Sequence, residues 1–369
     1  LSPAGAALAE LETPALLIDL DVLEANLAEM ASVAARAGVA LRPHTKTHKS
    51  PEIARMQLAA GAAGITCAKL GEAEVMAGAG LDDLLIAYPL VGEQKLRRLH
   101  GLLERARVQV SLDSVEVAEG VGRVGVARGR EVEVLVEVDT GLHRLGRPPG
   151  PPTAELAGRV ARVPGVELAG LLTHAGHSYR VTTPEELRRV AEREVLDLVE
   201  TAELCRRRGV EIRAVSVGST PTARVGALVD GVTELRPGTY ALNDATMVRL
   251  GHATEATVAV RVLATVVARP TAERFVVDAG SKCLTTDQMG SAPGWMLVAG
   301  RPDLRMDFLS EEHGVGHRDQ AGGDPRIGDR LQLIPSHACT CVNLFDLAYG
   351  IRGDRVEREL PIAGRGKVR

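Results

Sequence analysis

Val39-Ala40-Leu41-Arg42-Pro43-His44-Thr45-Lys46-Thr47-His48-Lys49 is an apolar run that ends in a basic, hydroxyl-rich cluster. Short runs rich in Val, Ile and Leu, each bounded by polar residues, read as strands buried on both faces. Eight such runs occur, at residues 39–42, 64–68, 84–88, 108–112, 133–139, 168–174, 214–218 and 234–238. Stretches with helical spacing separate most of them, for example 72–79 and 184–208. Strand alternating with helix implies parallel pairing through helical crossovers. Eight units of this kind predict an α/β fold, a (β/α)8 TIM barrel rather than an open sheet. An entry strand (15–20) and a helix (21–37) precede them.

Barrels carry their chemistry at the C-terminal ends of the strands. His44, Lys46, Lys69, Tyr88, Asp113, Asp139, His174, Gly218-Ser219 and Arg236 all fall at or just past such ends. Loops are polar in any protein, so placement alone does not assign a function. Beyond Asp244 the texture changes to Val- and Thr-rich strands at 257–267, 274–278, 331–334 and 341–344, with a turn-rich loop at 321–328. The expected domains are a barrel over 12–245 and a mostly β C-terminal domain over 246–369, to which residues 1–11 also belong.

Composition narrows the function. Net charge is −4, the pI is about 6.3 and aromatics make up 2%. That excludes the basic surface and stacking platforms of a nucleic-acid binder. No apolar run approaches the roughly 20 residues needed to cross a bilayer. Residues 1–14 lack the basic start and apolar core of a signal peptide. Five scattered cysteines do not form a disulfide framework, which points to a reducing, cytoplasmic setting.

A lysine becomes a Schiff-base former where burial and cationic neighbours depress its pKa. Lys46 is the candidate, with His44, His48, Arg42 and Lys49 as the expected neighbours; it is preferred over Lys49 because it sits nearer the strand end. Gly218-Ser219-Thr220-Pro221-Thr222 follows the seventh strand and opens a helix, which suits a phosphate. Arg236-Pro237-Gly238-Thr239-Tyr240 would close the other side. Arg144, after the fifth strand, could hold a phenolate oxygen, or pair with a carboxylate as a plain surface arginine. His174, His177 and Tyr179 are the acid/base candidates after strand six. His337 and Cys339, two apart on an expected strand, would share one face and offer a metal two ligands with positions left open. Sulfur favours zinc over manganese or magnesium, and Cys341 is a possible third ligand or packing residue. Glu311-Glu312-His313-Gly314 is a further polar cluster, read as a loop or a supporting element.

Taken together the motifs resemble the D-threonine aldolase / D-serine dehydratase family, among the alanine-racemase-like, fold type III pyridoxal phosphate enzymes. They are Thr13-Pro14-Ala15-Leu16-Leu17-Ile18-Asp19, the 42–49 cluster, Glu137-Val138-Asp139-Thr140-Gly141 with Arg144 and Gly146, the 218–222 and 234–240 segments, Val277-Asp278-Ala279-Gly280-Ser281-Lys282, 310–314 and His337-Ala338-Cys339. Their order spans nearly the whole chain. The resemblance implies pyridoxal 5'-phosphate on Lys46 and its phosphate on Gly218, Ser219, Thr220, Gly238 and Tyr240. It implies Arg144 on the phenolate, His44 beside the cofactor, and a divalent metal on His337 and Cys339 near the β-hydroxyl of a D-amino acid. It also implies a homodimer. The expected activity is D-threonine aldolase, with D-serine dehydratase or a D-3-hydroxyaspartate lyase as the alternative. Within the family the second metal ligand varies between Asp and Cys, and Cys339 leans toward dehydration. An amino-acid racemase would need a second base and no metal; a non-catalytic cofactor binder would lack the β domain.

Overall fold

The structure, a computed structural model, describes residues 4–287, 296–319 and 323–369. The chain forms two compact units. One comprises residues 1–28, 47–52 and 239–365; the other comprises 29–46, 53–238 and 366–369.

Strand β1 (Ala15–Asp19) belongs to the first unit, where it pairs antiparallel with a late strand and parallel with another. The second unit holds eight parallel strands. They are β2 (Ala40–Leu41), β3 (Ile65–Cys67), β4 (Asp83–Ile86), β5 (Arg107–Leu112), β6 (Val132–Val138), β7 (Val166–Thr173), β8 (Ala214–Val217) and β9 (Glu234–Leu235). Their order, β2-β9-β8-β7-β6-β5-β4-β3, is sequential around a ring. The ring closes where the Ala63 and Thr66 amides donate to the carbonyls of Leu41 and Pro43, both at 2.8 Å. This is the expected barrel, and all eight expected strands fall on observed ones.

Local chemistry explains the crossovers. The Ser114 hydroxyl accepts from the Val117 amide and starts the helix Val115–Arg128. Thr183 caps the helix Pro184–Arg207 in the same way, with proline in the first turn where no amide donor is missed. The β6–β7 register shifts between Val134 and Leu135. Gly170 sits in that irregularity with its backbone so close to Ala214 that a Cβ would lie 2.0 Å from the Ala214 carbonyl oxygen. Leu85, Leu135, Ala169 and Leu172 fill the apolar part of the interior.

Charge fills the remainder. Arg42, 5% exposed, donates through Nε to Glu234 at 2.7 Å and through Nη1 to Asp83. Arg107 then joins Asp83 to Glu133, and the Ser216 hydroxyl donates to Glu234 at 2.7 Å. Arg42 was expected to help polarise Lys46; its fork is instead committed to these two carboxylates.

The first unit is mostly β, as expected, with β10 (Val260–Ala268), β11 (Arg274–Val277), β12 (Met296–Val298), β13 (Leu304–Leu309), β14 (Gly314–Arg318), β15 (Arg330–Pro335), β16 (Leu347–Arg352) and β17 (Arg355–Pro361). Its sheet runs β13-β14-β11-β10-β1-β16-β17, with β15 and β12 branching from β10. Leu11, Ala15, Leu17, Leu263, Ile351 and Val356 form one of its apolar clusters. The expected strand at 341–344 is absent: Ala338–Val342 is one turn of helix, and the chain turns after it. The 321–328 loop is described only from Gly323, and it is irregular there. No helix among the described residues is long and apolar enough to cross a membrane.

Candidate active site

A cavity of about 380 Å³ lies among the C-terminal ends of the barrel strands, within the size range of small-ligand sites. His44, Lys46, Lys69, Tyr88, Glu137, Arg144, His174 and Arg236 supply its polar wall. Four cations thus face one carboxylate, a charge balance that suits an anionic occupant.

Lys46 lies in the short 3-10 turn Thr45–Thr47 directly after the first barrel strand. Its neighbour Thr45 donates to Glu72, a buried carboxylate that also accepts the Ala68 amide at 3.2 Å. One side chain therefore braces both the Lys46 turn and the Lys69 loop. The cationic surroundings differ from the expected set. Lys49 donates to Asn343 at 2.7 Å, and His48 accepts the Ser50 amide. Of the four expected neighbours, only His44 lines the cavity; Lys69, Arg144 and Arg236 provide the rest of the positive charge.

Burial, then the charge of Lys46, holds both His44 and His174 well below the ordinary imidazole value. Both imidazoles are therefore neutral. His174 Nδ1 lies 2.6 Å from the Gly218 carbonyl, which can only accept, so Nδ1 carries the proton and Nε2 keeps its lone pair. Of the three acid/base candidates, His174 is the one that lines the cavity. His177 and Tyr179 fall on the following 3-10 turn, Gly176–Arg180, and neither is on the wall.

Arg144 reaches the wall from the loop after β6, with Nη2 4.0 Å from Glu137 Oε1. That loop is pinned at its base, where the Asp139 amide donates to the Arg147 carbonyl, the Arg147 amide to the Glu137 carbonyl and the Gly146 amide to Asp113. Burial raises the Glu137 carboxyl, opposed by Arg236 and Arg144. Sequence reading passed over Glu137 as a site residue because it sits inside an apolar strand run.

The Gly218–Thr220 segment begins the short helix Thr220–Gly226. The Ser219 hydroxyl is 3.1 Å from that of Ser178 and 2.9 Å from that of Thr222. A Cβ on Gly218 would come within 3.0 Å of the Arg236 backbone, so bare backbone is required here. Glu194, fully buried and missed from sequence, accepts the amides of Ala175 and Gly218 and ties this segment to the His174 loop. Gly238 ends the main segment of the barrel unit; Tyr240, buried in the 3-10 turn Thr239–Ala241, belongs to the β unit.

In the β unit, His337 and Cys339 do come together, but not on a strand. His337 occupies the N-cap position of Ala338–Val342, with Cys339 two residues on in the same turn. Its Nδ1 lies 2.6 Å from Asp287, and Thr47 Oγ1 is 3.2 Å from the Cys339 sulfur. Cys341 points elsewhere, its buried thiol donating to the Cys283 carbonyl. Among the described residues no group of three or more His, Cys, Asp or Glu could hold a metal by itself. A nitrogen–sulfur pair still suits a zinc-type ion whose other positions are filled by water or substrate. Glu311 to His313 form the exposed β13–β14 turn, where Lys282 pairs with Glu312. A larger recess of about 590 Å³ in the same unit gathers Arg261, Arg301 and Arg330. These are already bonded to Gln332, Asp303 and the Leu11 carbonyl.

The sequence model of the alanine racemase N-terminal domain matches residues 18–254, and a serine dehydratase domain matches 259–351. The chain is 38% identical to D-threo-3-hydroxyaspartate dehydratase of a Delftia species, covering 93% of this chain and 95% of that protein. It is 35% identical to D-threonine aldolase of an Arthrobacter species, over 98% and 95%. The crystal structure of D-threonine aldolase from Filomicrobium marinum superposes with a TM-score of 0.94 at 35% identity, covering 100% of both chains. With this barrel, this β domain and these relatives, the chain belongs to the alanine-racemase-like family of D-β-hydroxy-amino-acid lyases.

Proposed function

We propose that the chain is a pyridoxal-phosphate-dependent, divalent-metal-dependent lyase that cleaves D-threonine to glycine and acetaldehyde. The observation that carries this reading is the pairing, in one cationic cavity, of Lys46 with the neutral, lone-pair-bearing His174. Lys46 would hold the cofactor covalently. Gly218, Ser219, Thr220 and Gly238, with Tyr240, would take its phosphate; Arg144 would face its phenolate oxygen and His44 would lie beside it. When bound, the cofactor supplies an electron sink for the bond that breaks. His337 and Cys339 would hold a divalent ion, zinc before manganese or magnesium, which would supply Lewis-acid activation of a hydroxyl.

This chain's own groups do the rest. Lys46 would present its amine beside the amino group of the substrate. His174 Nε2 takes the β-hydroxyl proton as the Cα–Cβ bond opens. The aldehyde leaves, and a proton returned to Cα completes glycine. Arg144, close to Glu137, keeps its cation aimed at the cavity. A cytoplasmic homodimer belongs to the same proposal.

A second reading is dehydration, in which Lys46 takes the α-proton and the β-hydroxyl departs. Cys339 supports it, as does the Delftia dehydratase at 38% identity. Product analysis separates the two. Loaded enzyme with zinc or manganese is expected to convert D-threonine, and not L-threonine, to glycine and acetaldehyde. Ammonia with 2-oxobutanoate from D-threonine, or with pyruvate from D-serine, would overturn the aldolase in favour of the dehydratase.

A further inference from the structure

Lys69 is a cavity cation that the mechanism above leaves without a task. It stands in extended conformation just before the helix Leu70–Gly78, with φ −143°. Its Nζ lies 3.4 Å from the centroid of the Tyr88 ring, and both residues line the cavity. A ring face attracts an ammonium without neutralising it. Among the described residues Lys69 makes no ion pair. The other cations are committed. Arg236 donates to the Ser216 hydroxyl at 2.7 Å and to the carbonyls of Thr173 and Ser216. Arg144 faces Glu137, and Lys46 is the covalent lysine of the proposed reaction.

A D-amino acid entering this cavity brings an α-carboxylate, and a carboxylate leaving water is costly unless a cation receives it. We infer that Lys69, held in place by the Tyr88 ring, is the docking cation for the substrate's α-carboxylate. The inference rests on the reading of this cavity as an amino-acid site. The bracing supports it. Glu72 bonds both Thr45, next to Lys46, and the amide of Ala68, next to Lys69. The amine-exchanging lysine and the carboxylate-docking lysine are thereby held on one frame, so a substrate would be gripped by both ends of its amino-acid portion.

The test is calorimetric titration of cofactor-loaded enzyme with D-alanine, which has no β-hydroxyl to cleave, and with D-alaninamide, whose carboxylate is neutralised. Wild type should prefer D-alanine. Lys69→Met should weaken D-alanine about 10- to 100-fold, the range for a lost charge-assisted bond, and leave D-alaninamide within about twofold. Lys69→Arg should recover most of the affinity. Tyr88→Leu should fall between wild type and Lys69→Met for D-alanine alone. Equal changes for both ligands in Lys69→Met, or no change for either, would overturn the docking role. So would a wild type that takes up the cofactor yet binds the two ligands equally. A wild type that takes up no cofactor would overturn the underlying reading, and the docking role with it.

Discussion

His174 Nδ1 sits 2.6 Å from the Gly218 carbonyl oxygen, and this one bond fixes which nitrogen of the ring is free to accept a proton. Because burial and Lys46 hold the imidazole well below its ordinary value, no proton has to leave it before it can act. His174→Ala should lower kcat by about 10²- to 10⁴-fold, the range for a lost acid/base group, with cofactor content unchanged. The kcat/KM profile of the wild type should show no inflection from this ring near pH 6.5; steady-state rates from pH 5 to 9 check both points.

The same depression sets a stability trend. His44 and His174 take protons near pH 6.5 when the chain is unfolded, but only at well lower pH when folded. Between those values the unfolded chain binds more protons, so the contribution of the pair to stability falls as pH drops below about 6.5. Glu194 and Glu137, raised by burial, act in the opposite sense at lower pH. The comparison is therefore between proteins. A His44→Gln, His174→Gln double variant should lose less of its urea midpoint between pH 7 and 5 than wild type does.

Arg42 should matter to the fold more than to the chemistry. Replacing it by Met removes the paired cation from Glu234, which keeps the Ser216 hydroxyl, and leaves Asp83 to Arg107. Breaking a buried pair from one side costs about 3–5 kcal/mol, and equilibrium urea denaturation reads it directly. A Met at Arg42 together with Gln at Glu234 should recover part of the loss, because the orphaned charge is removed.

Metal content should follow His337 and Cys339 and ignore Cys341. His337→Ala and Cys339→Ala should each lose bound zinc, measured by elemental analysis after dialysis. Cys341→Ser should keep it, because that sulfur is turned to the Cys283 carbonyl.

The barrel was legible because its strands are buried on both faces and so appear as apolar runs with polar tips. The residues at those tips, Lys46, His174 and Arg144, come together as cavity wall for the same reason. Three kinds of feature were not legible. His337-Ala338-Cys339 is too short to show a period, so a strand and a single helical turn could not be told apart. The fate of Arg42 depends on Asp83 and Glu234, 41 and 192 residues away in the chain, a pairing that only the closed ring creates. Glu72 and Glu194 were missed because each lies within a helix pattern, where a buried carboxylate looks like one more surface charge.

The most direct test of the central claim is borohydride reduction of the cofactor-loaded enzyme, followed by peptide mapping. A Schiff base to a lysine becomes a permanent bond, so the modified residue can be read by mass spectrometry. The account predicts the cofactor on Lys46 and no covalent label in Lys46→Ala. Label on Lys49 or Lys69 instead, or a Lys46→Ala variant that is still labelled, would contradict it.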